Sequence, residues 1–223
     1  MGSESSLNTD DLIQFFSKIK GLPKRINSVM QWFLKNPKPL KPVVKNSMIH
    51  YFDLYKRVGV DLGVFPIAPY SYVKFIKPNY IINEFGHVSE LKTLGDQFGT
   101  YYIQGAIRSE EHYQDFPKLD LEQEFGFMLY ESATKNITGE EIYVIPGIFN
   151  GLFDSISLAL GIEYFAKALI KNTSFIKKIV SDRERFYTEL IKKAIDETNT
   201  EVFMIGDDLA YNSGPFISPR YFN

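Results

Sequence analysis

Apolar positions along the chain change period several times, and each change marks an element. Leu12, Ile13, Phe16 and Ile19, then Val29, Trp32 and Phe33, recur at helical spacing and break around Gly21-Leu22-Pro23. They predict a helical covering layer over the first thirty-odd residues. Asn36 to Pro42 alternates prolines with polar residues and predicts a stiff extended connector, because proline lacks a backbone donor and pushes its predecessor away from helical angles. A strand is expected near Val43 to Met48. Gly59 to Ala68 is continuously apolar, as in a strand buried on both faces, and Pro66 marks its end. From Tyr70 to Ile107 the pattern becomes short aromatic and β-branched runs, Tyr72 to Ile76 and Tyr80 to Ile82, separated by Pro78 and Gly86, which predicts an inserted β-meander.

Short helices are expected at Ser109 to His112 and through Phe127, Met128 and Tyr130, followed by a second buried strand over Glu141 to Gly147. The segment Ile142 to Ile162 carries only Asp154 as a charge and mimics a membrane span, yet Pro146, Gly147, Asn150 and Gly151 divide it into strand, turn and helix start. One helix is predicted over Ser155 to Ile170. Asn172-Thr173-Ser174 then caps another, in which Phe175, Ile176, Ile179, Val180, Phe186, Leu190, Ile191, Ala194 and Ile195 share a face while Lys177, Lys178, Glu184, Lys192 and Lys193 meet water. That helix runs into Glu201 to Ile205, a third buried strand ending at Gly206-Asp207-Asp208. Strands alternating with helices predict a parallel α/β architecture.

Composition narrows the chemistry. A formal charge of -2 and a pI near 6.0 supply no basic field for a phosphate backbone, which argues against nucleic acid as a partner. Having no cysteine, the chain forms no disulfide, no thiolate nucleophile and no cysteine-bearing zinc site of its own. Met1 to Asp11 is polar and acidic and lacks a basic start followed by an apolar run, so a cytoplasmic protein without a membrane segment is expected.

Two places could carry chemistry. Asp207 and Asp208 stand just past a strand's carboxyl end, where parallel α/β folds line their ligand crevice. Adjacent residues of a strand point to opposite sides, so one carboxylate would face the crevice while the other braces the loop. Equally, both would simply cap the loop. The turn from Pro146 to Asp154 also joins a strand to a helix, and its backbone donors would suit an anion, whereas its glycines alone would serve tight packing. His50, His87 and His112 are scattered without metal-ligand spacing, and no HExxH or GxSxG pattern occurs.

Several of these segments together resemble the uroporphyrinogen decarboxylase superfamily, whose members include porphyrinogen decarboxylases and cobamide-dependent methyltransferases acting on thiols. Gly59-Val60-Asp61 is similar to its early "G-x-D" strand, and Asn83-Glu84-Phe85-Gly86 to the "D-E-F/W-G" turn of its methyltransferase-like members, with Asn83 replacing Asp. Gly147 to Gly161 resembles the family's glycine, aromatic and helix segment, and Ala168 to Ile179 its helix junction. Asp207-Asp208 through Ser218-Pro219 matches the pattern "D-D/S-x-A-x...G...S-P-x-x-F", the most specific of these.

The resemblance implies a (β/α)8 TIM-barrel type fold. A closed barrel needs about eight strands, whereas three and a further one near Val43 to Met48 are read here, so the expectation is a first half: residues 1–42 a helical segment and Pro-rich connector, residues 43–223 a partial barrel. Ser218-Pro219 likewise opens a helix with four residues after the proline. The resemblance implies that Asp207 and Asp208 line the substrate cavity and that Phe153 or Asp154 stands near the family's cavity tyrosine; Asp207 and Asp208 are therefore the expected catalytic residues, and Asn150, Phe153, Asp154 and Tyr211 the expected contacts of a small-molecule substrate. The family's "R-Q-A-G-R-Y" segment is missing, as is an aspartate at Ala68 or Pro69, which favours the methyltransferase members over a decarboxylase of a carboxylated tetrapyrrole. Those members use zinc held by His and Cys ligands that this chain does not supply, together with a cobamide, and imply a corrinoid protein as partner. A homo-oligomer, or an inactive half-barrel completed by another chain, is the remaining expectation.

Overall fold

The structure, a computed structural model, describes residues 28, 32, 36, 38–40, 55–67, 73–94, 97–122, 125–137, 142–198 and 200–221. The expected N-terminal helices, apart from the helical Ser28 and Trp32, and the strand expected near Val43 to Met48 lie outside the described residues. Within the connector, Lys38–Leu40 forms a turn of 3-10 helix rather than extended chain. Proline's fixed φ suits both conformations, so its presence does not choose between them.

Three strands form a parallel sheet: β1 (Leu62–Pro66), β6 (Tyr143–Ile148) and β7 (Met204–Ile205), in the order β1-β6-β7. Leu62 to Pro66 lie opposite Tyr143 to Gly147, and Gly147 and Ile148 opposite Met204 and Ile205. Between β1 and β6 runs the predicted meander, an antiparallel sheet of β2 (Val73–Lys77), β3 (Tyr80–Asn83), β4 (His87–Leu94) and β5 (Gln97–Gly105). A hairpin of β8 (Ala210–Tyr211) and β9 (Gly214–Pro215) follows β7. The fold is mixed α/β, and the described strands do not close into a barrel.

Among the described residues, helices α1 (Glu110–Asp115), α2 (Phe125–Ile137), α3 (Leu152–Leu160), α4 (Ile162–Lys171) and α5 (Thr173–Thr198) accompany the strands, and residues 55–57 are also helical. The apolar face read in the sequence packs α5 onto the parallel sheet, with Phe186, Tyr187, Leu190 and Ala194 meeting Phe65, Val144 and Ile148. A second core joins α3, α4 and α5 through Ile156, Leu160, Phe165, Phe175 and Ile179. Asn172 Oδ1 accepts the Phe175 N–H at 3.3 Å, so the predicted capping segment does start α5.

Three expectations require correction. The single helix over Ser155 to Ile170 is two, because Gly161 adopts φ 78° and turns the chain between α3 and α4 without breaking the apolar period. The third buried strand shrinks to Met204–Ile205, with Val202 49% and Ile205 56% exposed. There Thr200 Oγ1 donates to Val202 O at 2.7 Å and accepts the Val202 N–H at 3.3 Å, a local loop that diverts the backbone from the ladder. At Ser218-Pro219 the helix opening yields only a 3-10 turn, Pro219–Tyr221.

The meander is anchored by a buried turn. Asn83 Oδ1 accepts N–H bonds from Phe85 at 3.1 Å and His87 at 2.9 Å, while Gly86 at φ 91° lets the chain reverse. Glu84 to Val88 are all buried. His87 stands between the rings of Phe85 and Tyr102, at 5.8 and 6.3 Å, and burial holds its imidazolium pKa down to about 4, with Arg183's charge acting the same way and a hydrogen bond to the Ser155 backbone opposing both. A depressed histidine contributes stability above its ordinary pKa and loses it as pH falls through the folded value, because the unfolded chain takes the proton first. Denaturant titrations from neutral pH down to about 4 are therefore expected to show a loss on the order of 3 kcal/mol. The loss should shrink in His87→Gln; an equal loss in that variant would contradict this assignment.

Candidate functional site

The carboxyl ends of β6 and β7 stay joined after their ladder stops. The Gly206 N–H donates to Ile148 O at 2.7 Å and the Gly151 N–H to Gly206 O at 2.8 Å. This brings Asp207 beside the start of α3, where one carboxylate oxygen accepts the Phe153 N–H and the other the Asp154 N–H, each at 2.8 Å. The residue before α3, Gly151, has no side chain to offer as a cap, and Asp207 supplies the cap from another strand. A Cβ on Gly151 would come within 2.5 Å of the Asp207 Cγ, so glycine is required for that approach. The negative charge also meets the positive end of the helix dipole.

Of the two alternatives the sequence leaves open for the aspartates, capping thus describes Asp207. Asp208 has an exposed side chain, and its N–H donates to Asp154 Oδ2 at 3.3 Å. Burial and then the neighbouring Asp207 charge hold the Asp154 carboxyl above the ordinary aspartate range; Asp208's charge adds to this, and the N–H of Asp208 works against it. Asp154 therefore retains a proton at pH values where an exposed aspartate has lost it.

A crevice of about 340 Å³ opens beyond the carboxyl ends of β1 and β6. One side is the β6–α3 turn with Phe149 and Asn150, the opposite side is the meander with Glu84, Phe85 and Ser89, and α5 contributes Tyr187. The Tyr187 hydroxyl donates to Asn150 O at 2.5 Å and fixes the turn from below. Burial raises the Tyr187 pKa to about 12, so this hydroxyl keeps its proton. Arg183, only 5% exposed, donates to Phe85 O at 3.2 Å with its guanidinium 5.4 Å from the Phe85 ring centre. Two larger clefts, of about 830 and 650 Å³, lie against α5 on the helix side, among residues such as Lys135, Lys193, Glu122 and Asp120. Size alone would favour them, but ligands of parallel α/β folds meet the strand ends, so the smaller crevice is the candidate.

The six residues expected to form the site are not brought together there. Asn150 lines the crevice. Phe153 is buried instead in the helix core, 5.5 Å from the Phe165 ring and 5.7 Å from that of Phe216. Tyr211 is 64% exposed and lies tilted against Phe216, ring centres 4.0 Å apart. Asp154, Asp207 and Asp208 form the neighbouring cap. The crevice adds Glu84 and Tyr187: the first was visible as a carboxylate inside an apolar turn, whereas the second was indistinguishable from a core tyrosine of a periodic helix.

His87 is enclosed, His112 is exposed on α1, and His50 lies outside the described residues. No group of three His, Cys, Asp or Glu side chains able to hold a metal occurs among the described residues, so these residues do not fit the zinc implied by the resemblance. Nor does any described helix have the length and apolarity to cross a membrane.

Removing the cap exposes its contribution. Asp207→Ala is expected to lower the unfolding free energy by about 2 kcal/mol, and Asp207→Asn, which keeps an acceptor oxygen, by less. Urea denaturation of both variants checks this; equal losses, or none, would contradict the capping role.

Compared with known proteins, the chain matches no protein-family model, no curated protein and no solved structure.

Proposed function

We propose that this chain is a uroporphyrinogen-decarboxylase-type (β/α) barrel domain that binds a small organic substrate for a cobamide- or thiol-linked methyl transfer. One observation carries this reading: the crevice lies directly beyond the carboxyl ends of two adjacent parallel strands, β1 and β6, the position at which (β/α) barrels hold their ligands.

In this reading Asn150 and Glu84 contact the substrate, Tyr187 holds the turn that carries Asn150, and Asp207 is a positioning residue that fixes α3. Because the described residues contain no zinc ligand set, no step is assigned to a metal; the chain's own part is to bind, orient and exclude water. A decarboxylase of a carboxylated tetrapyrrole is the weaker reading. Such a substrate needs cationic partners, and no Lys or Arg is found among the described lining residues. The crevice of about 340 Å³ also stands at the small end of ligand sites, which run from ~300 to ~1,000 Å³.

The test uses the full-length protein with methylcobalamin, a zinc salt and 2-mercaptoethanol. Methylcobalamin is expected to disappear as a methyl thioether forms. Ser89→Trp, which fills the crevice, should slow this by at least about tenfold while leaving the circular dichroism spectrum intact. A rate equal to that without protein, or one unchanged in Ser89→Trp, would count against the reading.

A further inference from the structure

A strand at the edge of a sheet offers a row of backbone donors and acceptors to any other strand, and folded proteins guard such edges with charge, proline or a cover. The meander has two edges, and they differ. β2 carries Lys74 and Lys77 within its five residues. β5, at the other edge, runs for nine residues, Gln97 to Gly105, with neither a charge nor a proline. Its middle, Thr100-Tyr101-Tyr102-Ile103, consists of residue types that favour strands, and Thr100 to Gln104 are all exposed.

This edge is also held in place. The Tyr102 hydroxyl donates to Leu158 O at 3.0 Å, and a Cβ on Gly105 would fall 2.2 Å from Ala159 O, so α3 fixes one end of β5 closely. Opposite Tyr101 and Gly99 on β4 stand Glu90 and Lys92, which pair with each other at 2.7 Å and leave no net charge behind the edge. From Gln97 to Tyr102 the ladder with β4 is regular, and Ile103 then interrupts it as an extra residue. The backbone is therefore presented as a ready-made strand, with little ordering left to pay for on association.

A neutral extended edge fits another neutral extended edge, and a second copy of this chain supplies one. Antiparallel self-pairing about a two-fold axis near Thr100 and Tyr101 opposes no like charges, whereas β2 paired with itself would oppose lysines. The joined sheet would end on β2 at both sides, each guarded by Lys74 and Lys77, so the assembly closes at two copies instead of growing.

We propose that two copies of this chain associate through β5, antiparallel to itself about a two-fold axis, joining their meanders into one continuous sheet. This goes beyond the crevice reading and stands independently of it.

Sedimentation equilibrium of the full chain at up to about 100 μM, a range in which small interfaces associate, is expected to show a monomer–dimer equilibrium without larger species. Tyr101→Lys, at an exposed position and with unchanged circular dichroism, should weaken the dimer by roughly fivefold, and so should Tyr101→Glu. Mixing the two variants should restore association as a heterodimer, because the charges opposed across the axis are then of opposite sign. The chain has no cysteine, so Tyr101→Cys carries a single thiol. A short bis-maleimide is expected to link that variant into dimers and to leave Ile170→Cys, at an exposed position of α4, unlinked. A chain that stays monomeric over this range overturns the proposal, as does a series of growing oligomers. So does a dimer that Tyr101→Lys leaves intact, one that the mixed variants do not restore, or one in which Tyr101→Cys links no more than Ile170→Cys.

Discussion

The carboxylate of Asp207 receives the N–H groups of Phe153 and Asp154, and most of the site's geometry depends on that pair of bonds. Without them the first turn of α3 would leave two donors unpaired beside a buried core. The bonds tie the end of β7 to the β6–α3 turn, which in turn carries Phe149 and Asn150 to the crevice. Gly151 completes the arrangement by leaving room for the carboxylate, and Tyr187 braces the same turn through Asn150 O. A charge at a strand end, placed where a family resemblance points to catalysis, is thereby occupied in holding a helix.

Much of the architecture was legible in the sequence because it follows from periodicity. The buried parallel strands β1 and β6, the antiparallel meander and the amphipathic α5 each have an apolar pattern that only one element type can bury. What was not legible depends on local competition. Gly161 interrupts a helical period without altering it, and Thr200 diverts an apolar run into a loop before it can pair. The site was less accessible still. What each of two adjacent aspartates does is decided by a neighbour far along the chain, and no spacing rule encodes the meeting of Asp207 with Gly151. Phe153 illustrates the same limit, since it follows the crevice turn closely in sequence but its ring packs against Phe165 and Phe216.

The meander gives the crevice its character. Its buried turn from Asn83 to His87 is held by one side chain, Asn83, and brings a carboxylate and an aromatic ring against the strand ends. Glu84 and Phe85 come from that turn, so the insertion forms one wall of the crevice. The result is a small space beside the strand-end junction, lined by aromatic, aliphatic and uncharged polar side chains together with Glu84.

Amide hydrogen exchange at Phe153 and Asp154 tests the junction most directly. If Asp207 caps α3 across the strand ends, both amides exchange slowly in the native protein and become fast in Asp207→Ala while the amides of α5 keep their protection. Exchange at these two positions that is already fast in the native protein, or that is unaltered by the substitution, would contradict the account.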